Sequence, residues 1–203
     1  MKYEAVVFDL WNTLVVWPED QWETFYGRMA DTIGIEHDRF NDAWVGQYEV
    51  RATGPLEPSV RALCAELGVD DDRVQSLIGV RIDWTRNALV PRSGSVELLD
   101  ELRRRGYKLG LISVCSEEVP HLWEETELAP RIDEAVFSCS VGLAKPDPRI
   151  YWIAADRLEV EIGACLFVDD QPDFVEGARA AGMDAVRLGG DIQRLEDVLE
   201  LVK

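Results

Sequence analysis

The feature that most constrains the fold is a short apolar run near the N-terminus, VVF at residues 6–8, which ends directly in Asp9. Such runs of β-branched and aromatic residues are typical of strands that are buried on both faces of a parallel sheet. A carboxylate at the end of a buried strand costs free energy unless it binds a cation, accepts hydrogen bonds or takes part in a reaction. Ligand sites of open α/β sheets lie beyond the carboxyl ends of the strands. The sequence therefore predicts that Asp9 belongs to a site at this edge of a parallel sheet.

The chain divides into a helical stretch and an alternating stretch. Apolar side chains recur at helical spacing over 17–89, without a convincing strand pattern. From Pro91 onward helix and strand patterns alternate, which favours a doubly wound parallel sheet. We therefore predict an α/β core formed by 1–16 and 90–203, with an all-helical cap inserted over 17–89. Strands after the insert are expected at 107–112, 135–138, 164–168 and 185–188.

Helix boundaries are predicted from capping residues, glycine and proline. One helix is expected from about residue 38 through Tyr48 until Gly54 and Pro55 break it, and a terminal helix is expected over 195–202. Ser116 is expected to cap a helix, and Asp147 to cap another whose first residue is Pro148.

Composition narrows the class of protein. The 203 residues are 47% hydrophobic and carry a formal net charge of -18, which predicts a folded domain and argues against nucleic acid or anionic membrane as partners. No apolar stretch approaches the roughly 20 residues of a membrane span, and the N-terminus lacks the pattern of a secretion signal, so a cytoplasmic location is expected. The four cysteines are dispersed along the chain, without the spacing of a zinc site or a disulfide framework.

Polar residues follow several of the predicted strands. Asp9 follows the first, Ser113 another, and the pair Asp169 and Asp170 the strand over 164–168, while Lys145 lies in a loop before a proline. Two unit charges about 4 Å apart repel by roughly 4 kcal/mol at an effective dielectric constant near 20, so three carboxylates need compensation. A divalent cation together with Lys145 would supply it, and hard oxygen ligands suit Mg²⁺.

Four stretches of the chain together resemble a known family. FDLWNTL at 8–14, IS at 112–113, KPDP at 145–148 and FVDD at 167–170 are similar, in content and in order, to the four signature stretches of the haloacid dehalogenase superfamily. The resemblance spans essentially the whole chain. It implies a Rossmann-like core, with a helical cap of the type placed between the first and second signatures.

The resemblance also implies roles for the residues of the site. Asp9 would be the nucleophile and would form an aspartyl-phosphate if the substrate is a phosphoester. Ser113 would hydrogen-bond a phosphoryl oxygen, and Lys145 would neutralise the charge on the nucleophile and the phosphoryl group. Thr13 would support the loop or the phosphoryl oxygens. Electrostatic stabilisation of this kind is the larger part of phosphoryl-transfer catalysis.

A Mg²⁺ site is the second implication of the resemblance. Asp170, assisted by Asp169, would hold the ion together with Asp9 and the backbone carbonyl of Trp11.

Two positions depart from the pattern of the family's phosphatases. Trp11 stands two residues after the nucleophile, where those enzymes have an aspartate that acts as general acid and base. Loss of a general acid typically costs about 10²- to 10⁴-fold in rate, which predicts slow hydrolysis of alkyl phosphates or dependence on a good leaving group. Phe174 stands where the family often has an acid or amide near the metal, and the adjacent Asp173 is either its substitute or an ordinary first-turn acid.

Trp11 keeps two alternatives open beside a Mg²⁺-dependent phosphatase that acts on a small phosphorylated metabolite. Haloacid dehalogenases themselves have an aromatic residue at this position and need no metal, although their fourth signature is rich in serine and asparagine, unlike Asp169 and Asp170. The other alternative is a weakly active or inactive member that binds a phosphorylated ligand. The phosphonate-cleaving branch requires a cap lysine, and residues 15–90 contain none.

Cations for substrate recognition by the cap must be arginines, and the sequence does not indicate which of them face the site. We expect a monomer or homodimer. The candidate arginines are Arg28, Arg39, Arg51, Arg61, Arg73, Arg81 and Arg86.

Overall fold

A parallel β-sheet forms the centre of the protein. The computed structural model describes residues 2–18 and 21–203. The strands within these residues are β1 (Ala5–Phe8), β2 (Lys108–Ser113), β3 (Glu134–Phe137), β4 (Cys165–Asp169) and β5 (Asp184–Arg187). They lie in the order β3-β2-β1-β4-β5, and all the strand pairs are parallel.

The first strand occupies the middle of the sheet, where the strand order reverses. β1 is buried along its whole length and pairs with β2 on one side and β4 on the other. The amide of Asp9 donates a hydrogen bond of 2.9 Å to the carbonyl of Val168, which fixes the residue after β1 against β4. Such a reversal point at the carboxyl edge is where open α/β sheets bind ligands. The predicted position of Asp9 is confirmed.

Helices cover both faces of the sheet. Val6 and Phe8 belong to one hydrophobic cluster, whereas Ala5 and Val7 belong to a second on the opposite face, as the two-residue period of a strand requires. The helices that follow the insert are α6 (Ser95–Arg104), α7 (Glu118–Leu122), α8 (Ser138–Val141), α9 (Pro148–Arg157), α10 (Pro172–Ala181) and α11 (Val198–Leu201). The first cluster includes side chains of α6, α7 and α11, and the second includes those of α9 and α10, so the predicted doubly wound parallel sheet is confirmed.

A helical insert lies between β1 and β2. Its apolar faces form a third cluster, which includes Phe25, Met29, Phe40, Leu63 and Leu77, and no strand occurs among its described residues. The predicted boundaries at 16/17 and 89/90 stay a prediction. The helices of the insert are α1 (Trp22–Ile33), α2 (His37–Gly46), α3 (Tyr48–Thr53), α4 (Leu56–Leu67) and α5 (Val74–Ala88).

Three helix predictions were wrong in detail. The helix predicted to run through Tyr48 as far as Gly54 and Pro55 is divided into α2 and α3, because Gln47 leaves helical geometry with φ -101° and ψ 17°. Ser116 does not cap α7; it donates to the Glu118 carboxylate at 2.6 Å. The terminal helix predicted over 195–202 is a 3-10 turn followed by the short α11.

The predicted cap of α9 is confirmed, because the side chain of Asp147 accepts a hydrogen bond of 3.0 Å from the amide of Arg149.

The two connections between insert and core lie side by side. Val15 and Pro91 form an antiparallel bridge. The carbonyl of Leu14 accepts hydrogen bonds of 2.8 Å from the amide of Arg92 and from the hydroxyl of Ser95. The insert therefore enters and leaves the core at one point, next to the loop that follows Asp9. None of the helices in the described part of the chain has the length and apolar character needed to cross a membrane.

Candidate active site

The centre of the candidate site is a buried lysine between two carboxylates. The Lys145 ammonium donates hydrogen bonds of 2.6 Å to Asp9 Oδ1 and of 2.6 Å to Asp169 Oδ2. All three side chains are buried, with the ammonium fully removed from solvent. Asp9 follows β1 and Asp169 ends β4, so the parallel pairing of these strands places the two acids beside each other. The predicted convergence of Lys145 on the strand ends is confirmed.

The loop that carries Lys145 is held by close packing against α10. A Cβ atom added to Gly177 would lie 2.6 Å from Pro146 Cβ and 2.9 Å from the Pro146 carbonyl oxygen. Any larger residue at this point of α10 would therefore push the backbone next to Lys145 out of place. Gly177 was not among the residues predicted from the sequence, although a glycine inside a strongly helical pattern is a signal that indicates such a close contact.

Burial and neighbouring charges shift the pKa values of the groups in this site. Burial raises the pKa of Asp9 to about 7, and the negative charge of Asp169 adds to this, while Lys145 opposes it. Burial alone would lower the pKa of Lys145, but the charges of Asp9 and Asp169 outweigh burial and raise it. The pKa of Asp170 is raised by burial and by Asp169. Lys145 is thus held as a cation among acids that repel one another.

Three carboxylates form a group that can hold a metal ion. Asp9, Asp169 and Asp170 each offer an oxygen, and these oxygens lie within 4.8 Å of one another. Asp169 Oδ2 already accepts from Lys145, and its Oδ1 accepts the Gln171 amide at 2.8 Å. Asp9 accepts one side-chain hydrogen bond, from Lys145, and Asp170 accepts one, from Gln171 Nε2 at 2.7 Å. All-oxygen donor sets of this kind fit a hard divalent cation such as Mg²⁺.

Two buried hydroxyl groups near the strand ends are unsatisfied. Thr13 Oγ1 and Ser113 Oγ are fully buried and have no hydrogen-bond partner among the described residues. Ser113 ends β2, the neighbour of β1, and Thr13 lies in the loop after Asp9. A buried polar group without a partner costs about 1–3 kcal/mol, so such a group marks a place where a ligand can supply the missing bond.

Asn12 gives the loop after Asp9 its shape. Its backbone is left-handed, with φ 62°, a conformation that asparagine tolerates better than most residues. Its Oδ1 accepts the amide of Trp17 at 3.0 Å, and its carbonyl accepts from the guanidinium of Arg92. This residue ties the loop to the start of the insert, and the sequence analysis did not single it out.

The two residues that depart from the family pattern are aromatic contacts. The Trp11 ring lies edge-on to Trp17, with 4.7 Å between ring centroids, and packs against apolar clusters of both core and insert. The Phe174 ring centroid lies 4.7 Å from Lys145 Nζ, whereas Asp173 is exposed. Phe174, and not Asp173, therefore contacts the buried lysine, as a ring face that favours its positive charge.

A cavity of about 450 Å³ lies between the carboxyl edge of the sheet and the insert. Its sheet side includes Asp9 and Asp170, and its insert side includes Arg51 and Arg81. Aromatic rings make up much of the remaining wall: Trp11, Trp17, Trp22, Tyr26, Trp44, Tyr48 and Phe174.

Of the arginines considered from the sequence, Arg51 and Arg81 are the ones that line this cavity and are buried. The remaining five are exposed. Arg81 Nε donates to Glu118 Oε1 at 2.7 Å, and this pair joins α5 of the insert to α7 of the core. Glu118 is almost fully buried and was missed by the sequence analysis, since nothing in its local pattern distinguishes it from a surface acid at a helix start.

Comparison with known proteins finds a matching family model and relatives that align with most of the chain. A family model described as haloacid dehalogenase-like hydrolase matches residues 3–182. The chain is 32% identical over 191 residues to the phosphatase MT3486 of Mycobacterium tuberculosis, an alignment that covers 91% of this chain and 87% of that protein. It is also 32% identical over 190 residues to the (S)-2-haloacid dehalogenase of Pseudomonas sp. strain YL, which covers 88% of this chain and 79% of that protein.

A solved structure shares the fold. The 2-haloacid dehalogenase from Pseudomonas syringae pv. Tomato DC3000 is similar with a TM-score of 0.73 at 20% sequence identity, over 98% of this chain and 98% of that chain. At this identity the similarity shows the α/β fold alone.

Proposed function

The chain belongs to the haloacid dehalogenase-like hydrolases, and from this premise we propose that it is a Mg²⁺-dependent phosphatase that hydrolyses a small phosphorylated metabolite with Asp9 as the nucleophile. The observation that carries the proposal is the imbalance of charge at the strand ends. Three carboxylates offer oxygens within 4.8 Å of one another, and Lys145 is the cation that contacts two of them. A second cation would relieve the remaining repulsion.

The unsatisfied hydroxyls support a phosphoryl group as the reacting group. Thr13 Oγ1 and Ser113 Oγ are buried donors without partners among the described residues, and a phosphoryl group brings several acceptor oxygens. Lys145 adds a positive charge next to Asp9. In this proposal the three side chains stabilise the charge that spreads over the phosphoryl oxygens during transfer.

The reaction would proceed in two displacements. Asp9 attacks phosphorus, so that a carboxylate–phosphorus bond forms and the ester P–O bond breaks. Water then attacks the aspartyl-phosphate, which releases phosphate and restores Asp9. Mg²⁺, held by Asp9, Asp170 and the carbonyl of Trp11 with assistance from Asp169, would neutralise charge on the phosphoryl oxygens. Trp11 provides no proton for the leaving group, which therefore departs with a proton from water.

The insert would act as a cap over this reaction. In the proposed division, the cap over 17–89 closes the cavity above the core of 1–16 and 90–203, and limits the water that reaches Asp9. A cytoplasmic location and a monomeric or homodimeric state complete the proposal.

Trp11 favours a second candidate. A metal-independent dehalogenase would use Asp9 to displace halide from carbon and would need no acid at the position of Trp11. Buried Asp169 and half-buried Asp170 oppose this candidate, because they place extra negative charge where an anionic haloacid would have to approach. An inactive ligand-binding member is the third possibility that Trp11 leaves open.

The proposal is tested by an assay of phosphate esters and haloacids with Mg²⁺ or with a chelator. We expect phosphate release that requires Mg²⁺ and falls by at least about 10³-fold in Asp9→Asn, since the nucleophile is lost. The control is Asp156→Asn, an exposed acid on α9, which should retain native rates. Halide release in the presence of chelator would replace the phosphatase with the dehalogenase. Absence of any turnover, with phosphate still bound, would indicate the inactive member.

The missing acid is tested by a matched pair of variants. Trp11→Asp should hydrolyse alkyl phosphates about 10²-fold faster than Trp11→Asn, because both remove the ring and only the first can donate a proton. Equal rates would show that protonation of the leaving group does not limit the reaction. Thermal unfolding of both variants controls for the packing lost with the indole.

A further inference from the structure

The insert side of the cavity carries a second charged cluster, formed by Arg51, Arg81 and Glu118. Both arginines line the cavity, while Glu118 lies behind Arg81 and outside the lining. Both guanidinium groups lie near the buried Trp44 ring, with Cζ atoms 3.8 Å and 5.7 Å from its centroid. Two cations thus lie close together in a largely apolar wall.

Each arginine has one buried nitrogen without a hydrogen bond. Arg51 Nη2 donates to the carbonyl of Trp44, and Arg81 Nε donates to Glu118, so both side chains have structural contacts. These contacts leave Arg51 Nη1 and Arg81 Nη1 without a partner among the described residues, although both atoms are buried. Leaving charged donors unpaired is costly, so packing alone does not explain why both arginines lie in the wall of the cavity.

The charges of the cluster do not balance. Glu118 accepts from Arg81 and from the Ser116 hydroxyl, and so compensates for one of the two arginines. Burial and the neighbouring charge of Arg81 lower the pKa of Arg51 to about 10, which leaves it cationic at neutral pH. One positive charge in this cluster therefore lacks a counter-charge, and a single anionic group on a ligand would supply it.

We propose that Arg51 and Arg81 bind a carboxylate of the substrate through their unpaired Nη1 groups, so that the substrate is a phosphate ester with a carboxylate at a separate position and an apolar, aromatic body between them. Two donors match the two oxygens of a carboxylate, and its single negative charge matches the uncompensated positive charge. The phosphate ester part rests on the proposed function; the carboxylate site does not.

The side chains that line the cavity indicate the chemical nature of the part of the ligand between its phosphate and its carboxylate. Trp17, Trp22 and Tyr26 come from the insert side, and Phe174 comes from the core side. Aromatic walls favour offset or edge-to-face contacts with a planar ring. A cavity of about 450 Å³ falls in the range of small-molecule sites. A benzoate-like group is the simplest probe that meets these requirements.

The first test compares two esters of equal size, 4-carboxyphenyl phosphate and 4-carbamoylphenyl phosphate, with Mg²⁺. We expect native protein to prefer the carboxylate by about 10- to 100-fold in kcat/KM, mainly through KM, as charged hydrogen bonds of ordinary strength allow. Arg51→Met and Arg51→Lys should reduce this ratio to nearly 1 and about 3, respectively, since lysine keeps the charge and loses the planar fork. Arg28→Met, an exposed arginine of α1, should keep the native ratio.

The second test is independent of turnover. Benzoate should quench the fluorescence of the tryptophans that line the cavity in a saturable way, at least about 10-fold more tightly than benzamide, and Arg51→Met should abolish the difference. Benzoate binding that depends on Arg51, without hydrolysis of either ester, would refute the phosphatase and leave the carboxylate site standing. Equal binding of benzoate and benzamide by native protein, or a preference unchanged in both Arg51 variants, would overturn the inference. The native comparison decides the question even if the variants fail to fold.

Discussion

The two sides of the cavity are built on different principles. On the sheet side, Asp9 and Asp169 follow neighbouring strands and meet Lys145 at 2.6 Å each, in a cluster with more negative than positive charge. On the insert side, Arg51 and Arg81 project from separate helices and form a cluster with more positive than negative charge. A bound cation would compensate the excess negative charge of the sheet side, and a bound anion would compensate the excess positive charge of the insert side. In the function proposed above, this difference would separate the reaction, at the core, from substrate recognition, at the insert.

The largest effect is expected when the positive charge of Lys145 is removed from the sheet side of the cavity. Lys145→Met leaves Asp9 and Asp169 without their ammonium partner, and we expect kcat/KM for aryl phosphates to fall by about 10³-fold or more. Steady-state assays with Mg²⁺ measure the loss. Lys108→Met is the control, because Lys108 lies at the other end of β2 and donates to the Leu158 carbonyl at 2.6 Å. Retention of a tenth of native activity in Lys145→Met would contradict the assignment.

The contact between the two regions is tested by two ion pairs that both join α5 to the segment after β2. Glu118→Ala should destabilise the protein by about 3–5 kcal/mol, because it leaves the buried Arg81 charge without its partner. Glu125→Ala removes an exposed partner of Arg86 at 2.9 Å and should cost less than about 1 kcal/mol. Urea unfolding gives both values. Similar losses in the two variants would mean that the buried pair does not anchor the insert to the core.

The support of the sheet side from α10 is tested by adding a single methyl group. Gly177→Ala should destabilise the protein by about 1–3 kcal/mol and lower kcat/KM, since the new Cβ meets the Pro146 backbone next to Lys145. Gly79→Ala is the matched control inside α5, where an added Cβ has nothing within 4 Å. It should stabilise the protein by about 0.5–1 kcal/mol through helix propensity. If both variants are stabilised, the contact of Gly177 with Pro146 does not constrain the loop.

The smallest expected effect is on stability as a function of pH. Burial raises the pKa of Asp9 to about 7, while an unfolded aspartate titrates near 4. Between these values the native state binds more protons than the unfolded state, so the stability of the native protein falls as pH rises through this range.

Asp9→Asn does not titrate at this position. Without metal it should melt about 2–8 °C above native protein at pH 8, and the difference should shrink at pH 4.5. Differential scanning calorimetry with and without Mg²⁺ checks this, and Mg²⁺ should raise the melting temperature of native protein more than that of the variant. Asp156→Asn should show no such dependence on pH. A lower melting temperature for Asp9→Asn at pH 8 would show that Asp9 stabilises the fold.

Much of the fold and one side of the site could be predicted from local patterns. The apolar run before Asp9 and the alternation after Pro91 predicted a doubly wound parallel sheet, and the structure confirms it with strand ends shifted by one residue or so. Asp9 and Asp169 come together because parallel strands align their carboxyl ends, and Lys145 reaches both from the loop before α9. The break at Gln47 was not predicted, since the helical spacing of apolar residues continues across it.

The insert side could not be predicted in the same way. Seven arginines in the insert have similar sequence surroundings, and two of them, Arg51 and Arg81, are buried against the cavity. In the sequence Glu118 resembles a surface acid, and only the structure shows that its Oε1 accepts a hydrogen bond of 2.7 Å from Arg81 Nε. A helix leaves open which face meets which neighbour, so these contacts depend on how helices of the insert and core pack together.

The sequence by itself determined the parallel sheet and the location of Asp9, because the carboxyl ends of parallel strands meet at one edge of the sheet. It also indicated the family, through the four signature stretches. The sequence also shows that position 11 carries a tryptophan and not an acid. The tertiary structure decided what Trp11 and Phe174 contact, which arginines face the cavity, and why α10 needs Gly177. The physical reason is that strand-end residues are placed by backbone hydrogen bonds that local pattern predicts, whereas helix faces and close approaches are placed by side-chain packing between segments distant in the chain.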